Sequence, residues 1–154
     1  MWIDRFEEFE PGKRALAVKN VSLSEEHIHD HWEAYPVMPH SLMIEGMAQT
    51  AGILVGQMDN FEHDVVLAKV SKAVFSDIAL PGDQLSYEAV VENAAPEASS
   101  ISGTVRRNGE VIGEILLMLS NSDNAIQQLD LPEKFVFTES FVRLVEPFLE
   151  QDNG

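Results

Sequence analysis

Apolar and polar positions alternate through Arg14-Ala15-Leu16-Ala17-Val18-Lys19-Asn20-Val21, the signature of a strand with one face buried. Residues 2–9 form a second candidate strand before it, and Pro11-Gly12 supplies the turn, so the chain is expected to open with a hairpin. Residues 22–39 break the alternation with histidines, acids and prolines, and a connection of that length beside a rigid element is a natural place for function. From His40 the pattern changes again. Residues 41–56 are apolar on nearly every side of a 3.6-residue helix, which predicts a helix wrapped by other structure. Gly46, Ala48, Ala51, Gly52 and Gly56 in that run suit close packing against a sheet.

Strand patterns return at residues 65–76, 84–93, 100–107 and 111–121. Pro81-Gly82-Asp83 marks a turn before the second of these, and Asn108-Gly109 is a two-residue hairpin signal between the last two. The tail differs. Phe141, Leu144, Val145, Phe148 and Leu149 recur at helical spacing, with Thr138 as a candidate N-cap. The pattern therefore predicts an α+β chain: a folded unit over residues 1–121 with one central helix and an antiparallel sheet, then an extension over residues 122–154 that ends in an amphipathic helix. That helix is expected to pack on its own domain or on a partner subunit.

Composition narrows the chemistry. In 154 residues there is no cysteine, which removes disulfides, thiolate metal sites and cysteine nucleophiles, and suits a reducing, cytoplasmic setting. Ten Lys+Arg against 26 Asp+Glu give a formal net charge of −16, and such a surface repels nucleic acid and anionic lipid. An acidic carrier protein or coenzyme A would need a local basic patch, for which Lys69, Lys72, Arg106 and Arg107 are candidates. The first residues lack the basic start and apolar stretch of a secretory signal. The central apolar run carries Glu45, Gln49 and Gln57, so no membrane span is expected.

Glu45 is the only charged residue between His40 and Asp59. Burial there disfavours the ionised form and would make the group a proton donor, although a helix-face glutamate that reaches solvent or an ion pair fits the same pattern. Gln49, one turn later, is placed to bond Glu45 or the sheet. His31 precedes Glu45 by fourteen residues, in the loop that leads to the helix, where the positive end of the helix dipole favours a neutral imidazole able to act as a base. A solvated loop histidine is the plainer alternative. His27-Ile28-His29-Asp30-His31 invites a metal reading, but it is one residue short of the H-x-H-x-D-H signature and the chain is short for that fold, so no metal is expected. Neither a G-x-S-x-G elbow nor a glycine-rich phosphate loop is present, and Ser41 reads as a first-turn residue.

The run from His31 through Tyr35-Pro36-Val37-Met38-Pro39-His40 to Ile44-Glu45-Gly46-Met47-Ala48-Gln49 resembles the active-site segment of the 3-hydroxyacyl-acyl-carrier-protein dehydratases. Their pattern reads H-F-x-G-x-P-x-x-P-G and continues into V-L-x-x-E-A-M-A-Q. The His-to-Glu spacing is the same, and residues 17–22 and Pro81-Gly82-Asp83-Gln84-Leu85 extend the likeness over roughly residues 3–120. The resemblance implies a hotdog fold, with an antiparallel sheet around a long helix, and a homodimer or higher homo-oligomer whose sites take His and Glu from different chains. It implies that His31 removes a C2 proton from a 3-hydroxyacyl thioester on acyl-carrier protein or coenzyme A. Glu45 then protonates the departing 3-hydroxyl. Pro39, His40, Ser41 and Gln49 would bind substrate, and no cofactor is required. Glu33 and Ala34 stand where the family has Pro-Gly, and His40 stands where it has a glycine whose N–H faces the thioester carbonyl. On the same fold a thioester hydrolase, or an acyl-thioester binder without catalysis, are the alternatives.

Overall fold

The computed structural model describes residues 1–26, 28, 35–95, 97–121, 134–135 and 139–150. Strands β1 (Arg5–Glu10) and β2 (Arg14–Asn20) form the opening hairpin, with Gly12 at φ 72° in its turn. Helix α1 (His40–Gln57) follows, then β3 (Val65–Phe75), β4 (Gln84–Ala94), β5 (Ala98–Arg107), β6 (Glu110–Asn121), the two-residue β7 (Lys134–Phe135) and helix α2 (Glu139–Leu149). All pairings are antiparallel, in the order β1-β2-β4-β5-β6-β3-β7. This is the hotdog architecture that the resemblance implied. Asn108 and Gly109, at φ 50° and 87°, make the tight β5–β6 turn, because both central residues of such a turn need the left-handed region. The Asn108 side chain also ties the turn to the next loop, accepting from Gln84 N–H at 2.9 Å and donating to Asp83 at 2.9 Å.

The sheet's inner face and α1 share one core. Leu85, Tyr87 and Ala89 on β4, Ile101 and Val105 on β5, and Ile115, Leu117 and Leu119 on β6 are buried at every second position. They surround Met43, Met47, Ile53 and Leu54 of α1, a helix buried on nearly all sides from Gly46 to Gly56. Two glycines permit the close approach. A Cβ on Gly46 would fall 2.7 Å from the Tyr87 ring, and one on Gly103 would fall 2.7 Å from the Met47 side chain. Tyr87 is fully buried, and its hydroxyl has no hydrogen-bond partner among the described residues. Burial, with the charge of Asp4, pushes this phenol well above its ordinary range. An unmet buried hydroxyl is costly, so Tyr87→Phe should leave stability unchanged or raise it by about 1 kcal/mol in urea unfolding. A clear loss would mean that the hydroxyl is bonded.

On the outer face, the Glu88 carboxylate lies 2.6 Å from Arg14 Nε and 3.1 Å from Arg106 Nη1, and Arg14 also pairs with Glu8. Hydrogen bonding from Arg14 first, then from Arg106, holds Glu88 below the usual carboxylate range against the opposing effect of burial. A carboxyl lowered in the folded state adds stability above its unfolded value, and that contribution is lost as pH falls through the folded value. Glu88→Gln should therefore cost less than about 1 kcal/mol at pH 7. The two proteins should converge in urea midpoint as the pH drops below 4.5.

Among the described residues β3 is paired on one side only for most of its length. β7 pairs only with Val65 and Val66, and residues 69–74 are exposed. Val70 and Ala73 lie across from the core residues Leu117 and Ile115, yet are themselves uncovered. At the opposite edge α2 packs on β1: Val145 is fully buried, and the Phe148 ring lies 6.4 Å from that of Phe9, which meets Phe6 edge-on at 5.4 Å. Of the two locations expected for the tail helix, this is its own chain. The expected cap, Thr138, lies outside the described residues. Among the described residues no helix is long and apolar enough to cross a membrane.

Candidate active site

Two segments meet at the start of α1. The 22–39 connection is fastened where it leaves β2: buried Lys19 donates to Glu25 at 2.9 Å and reaches Asp4 at 3.5 Å, while Glu25 also accepts from Ser22 N–H at 3.0 Å. At its far end Met38 N–H bonds the Ala79 carbonyl at 2.8 Å, an isolated antiparallel bridge. Pro39 then takes the N-cap position in extended conformation, and its carbonyl accepts the first helical bonds from Leu42 and Met43. No side chain caps the helix and no acidic residue lies in its first turn. The first N–H groups and the positive end of the dipole are thus directed to whatever lies before His40, an arrangement suited to an oxyanion or a polarised carbonyl.

Pro39, His40 and Ser41 line a largely apolar groove of about 370 Å³ with Val37, Met38 and Ile78. Ser41 is exposed in the first turn, as its position suggested. Glu45 is half-buried on the second turn. Gln49 is buried, and its side-chain carbonyl accepts from Trp2 N–H at 2.8 Å, so this residue fastens the segment ahead of β1 to the helix. His31, the partner expected for Glu45, lies outside the described residues, as do His27, His29, Glu33 and Ala34. Among the described residues no group of three or more His, Asp or Glu is placed to hold a metal ion.

His40 is engaged in a way that spacing could not reveal. Its Nε2 lies 2.9 Å from the Asp77 carbonyl, and its ring stacks on Phe75 at 4.3 Å between centroids and 14° between planes. Arg107 holds the same stretch from the other side, donating to the Ile78 carbonyl at 2.6 Å and pairing with the Asp77 carboxylate at 2.9 Å. The Ile78 N–H, and then Arg107, keep Asp77 below the usual carboxylate range. Neither Phe75 nor Asp77 carries a signal in the sequence. Of the four basic residues considered for a patch, Lys72 pairs with Glu114 at 3.0 Å, Arg106 with Glu88 and Arg107 with Asp77, leaving Lys69 exposed on β3.

Residues 1–116 match the model of a FabA-like domain. The chain is 38% identical over 119 residues to the 3-hydroxyacyl-[acyl-carrier-protein] dehydratase FabZ of a Hydrogenobaculum species, covering 75% of this chain and 80% of that protein. Among solved structures it resembles the dehydratase heterocomplex ApeI:P from Xenorhabdus doucetiae, with TM-score 0.70 and 16% identity over 85% of this chain and 90% of that one. It also resembles a hypothetical thioesterase with coenzyme A from Streptococcus pneumoniae, with TM-score 0.60 and 9% identity over 76% and 86%. At those identities the structural likeness is one of fold alone.

Proposed function

The chain belongs to the FabA-like family, and from that premise we propose that it dehydrates a 3-hydroxyacyl thioester to a trans-2-enoyl thioester and water, in fatty-acid or related acyl-chain synthesis. The observation that carries this reading is the family match across residues 1–116, which spans the whole His31-to-Gln49 motif. In the proposed reaction His31 takes the C2 proton, the electron pair forms the C2–C3 double bond, and the C3–O bond breaks. Glu45 supplies the proton that turns the leaving hydroxyl into water. The acidic C2–H depends on a polarised thioester carbonyl, and the His40 N–H at the open end of α1 suits that task. Pro39, Ser41 and Gln49 bind the substrate, and Gln49 also fastens the segment ahead of β1 to Glu45's helix through Trp2. No metal or redox cofactor enters this chemistry.

The reading includes a homodimer in which His31 of one chain serves Glu45 of the other. Its support is β3, where residues 69–74 have no partner strand on their outer side among the described residues and Val70 and Ala73 are uncovered. A cytoplasmic location and an acyl-carrier protein or coenzyme A as the thioester carrier complete the proposal. So does the division into a hotdog unit, residues 1–121, and an extension, residues 122–154. The test is turnover of 3-hydroxyacyl thioesters of several lengths on both carriers, with enoyl product and free thiol followed together. Enoyl formation without thiol release supports the proposal. Thiol release alone identifies a hydrolase, and binding without either product identifies a non-catalytic acyl-thioester binder.

A further inference from the structure

We infer that the His40 side chain is a positioning residue that, with Phe75 and Arg107, locks residues 77–78 against the start of α1 and so fixes the width of the groove there. The hydrogen bond at Nε2 ties the ring to the protein. A backbone carbonyl can only accept, so the nitrogen 2.9 Å from the Asp77 oxygen must carry the proton. Nε2 and one face of the ring are committed to the protein.

Packing makes this contact stiff. Phe75 stacks on the imidazole and also packs over Gly113 of β6, where a Cβ would come within 2.7 Å of the Phe75 ring. Asp77 and Ile78 are also gripped by Arg107, through the Ile78 carbonyl at 2.6 Å and the Asp77 carboxylate at 2.9 Å, and the Asp77 carboxylate accepts from the Ile78 N–H at 2.8 Å. Ile78 lines the groove together with residues 37–41. A histidine in place of the family's glycine thus supplies a cross-groove tie that a glycine could not. A groove of set width before the catalytic helix selects for a slender, flexible arm, the form in which a thioester on either carrier is presented.

The inference has one readout independent of catalysis and one that rests on the dehydratase reading. Amide hydrogen exchange of the full chain tests the tie itself: in His40→Ala the amides of Met38 and Ile78 should exchange about tenfold faster, while those of β4 and β5 stay unchanged. His40→Gln, whose amide can again donate to the Asp77 carbonyl, should recover most of that protection. Phe75→Leu should reproduce the effect of His40→Ala, and the double variant should be no worse than either, because both remove one column. In turnover, His40→Ala should raise KM about five- to tenfold with kcat within about twofold of the parent, and His40→Gln should restore KM. Unchanged exchange in His40→Ala, additive effects in the double variant, or a fall in kcat at constant KM would overturn the inference. Faster exchange in His40→Ala of a protein that dehydrates no thioester would sustain the tie and reject the proposed reaction.

Discussion

His31→Ala and Glu45→Gln should each lower kcat for dehydration by about 10²- to 10⁴-fold while the protein stays folded. In the proposed reaction the two groups do different work, one removing a proton from C2 and the other delivering one to the 3-hydroxyl. Both transfers belong to the same elimination, so the double variant should be little worse than either single one. Glu45→Gln keeps the shape of a half-buried side chain and removes only the proton it can give, which makes it the cleaner change. His31 lies in a connection fastened at both ends, by Lys19 and Glu25 after β2 and by the Met38–Ala79 bridge before α1, so loss of its ring should leave both anchors intact. Stopped-flow or endpoint assays at saturating thioester, with circular dichroism to check folding, decide the matter. Full thioester hydrolysis by His31→Ala would move the chain to the hydrolase reading.

The largest effect on stability is expected at Gly46. A Cβ there falls 2.7 Å from Tyr87 Cζ and 2.9 Å from the phenol oxygen, and Tyr87 is fully buried, in register between Ala17 and Val105 on the neighbouring strands. An aromatic ring in that position has nowhere to turn. Gly46→Val should cost about 3 kcal/mol, since overpacking a closed core forces either the helix or β4 to move, and valine gains little helix propensity over glycine. Gly103 makes the contrast. Its added Cβ would meet the thioether end of Met47, a flexible side chain that can turn aside, so Gly103→Ala should cost less than about 1 kcal/mol. Combining Gly46→Val with Tyr87→Leu should cost less than the sum of the two by about 1 kcal/mol or more in urea unfolding, because the smaller side chain makes room for the added methyls. Strict additivity would show that Gly46 and Tyr87 do not constrain each other.

Much of the fold was legible because periodicity and turn chemistry are local. The alternation in β2 and β5, the all-round apolar run of α1 and the Asn108-Gly109 turn each carry their own signal, and their boundaries in the structure fall within a few residues of those expected. β7 was not legible: two residues have no period, and Lys134–Phe135 forms a strand only because the edge of β3 is there to pair with. The face of α2 could be read from Leu144, Val145, Phe148 and Leu149, but its partner could not, since an apolar stripe does not say that Phe9 will receive it. The candidate site divides in the same way. The spacing from His31 to Glu45 is a property of the chain and was visible. The seat of His40 on Phe75 and Asp77 depends on the connection between β3 and β4 crossing the end of α1, and no spacing along the chain records that crossing. Gln49 was placed to bond Glu45 or the sheet, and its bond to Trp2 arises only once the first residues fold back beside α1.

The most direct test of the central claim runs the proposed reaction in reverse in labelled water. The protein is incubated with a trans-2-enoyl thioester in water enriched in ¹⁸O, and the products are separated and weighed by mass spectrometry. A hydro-lyase adds water across the double bond, so the account predicts one ¹⁸O atom in the 3-hydroxyl of a thioester that remains intact, with none incorporated by Glu45→Gln. Label found only in the carboxylate of a free acid, or no label in any product from the folded protein, would contradict it.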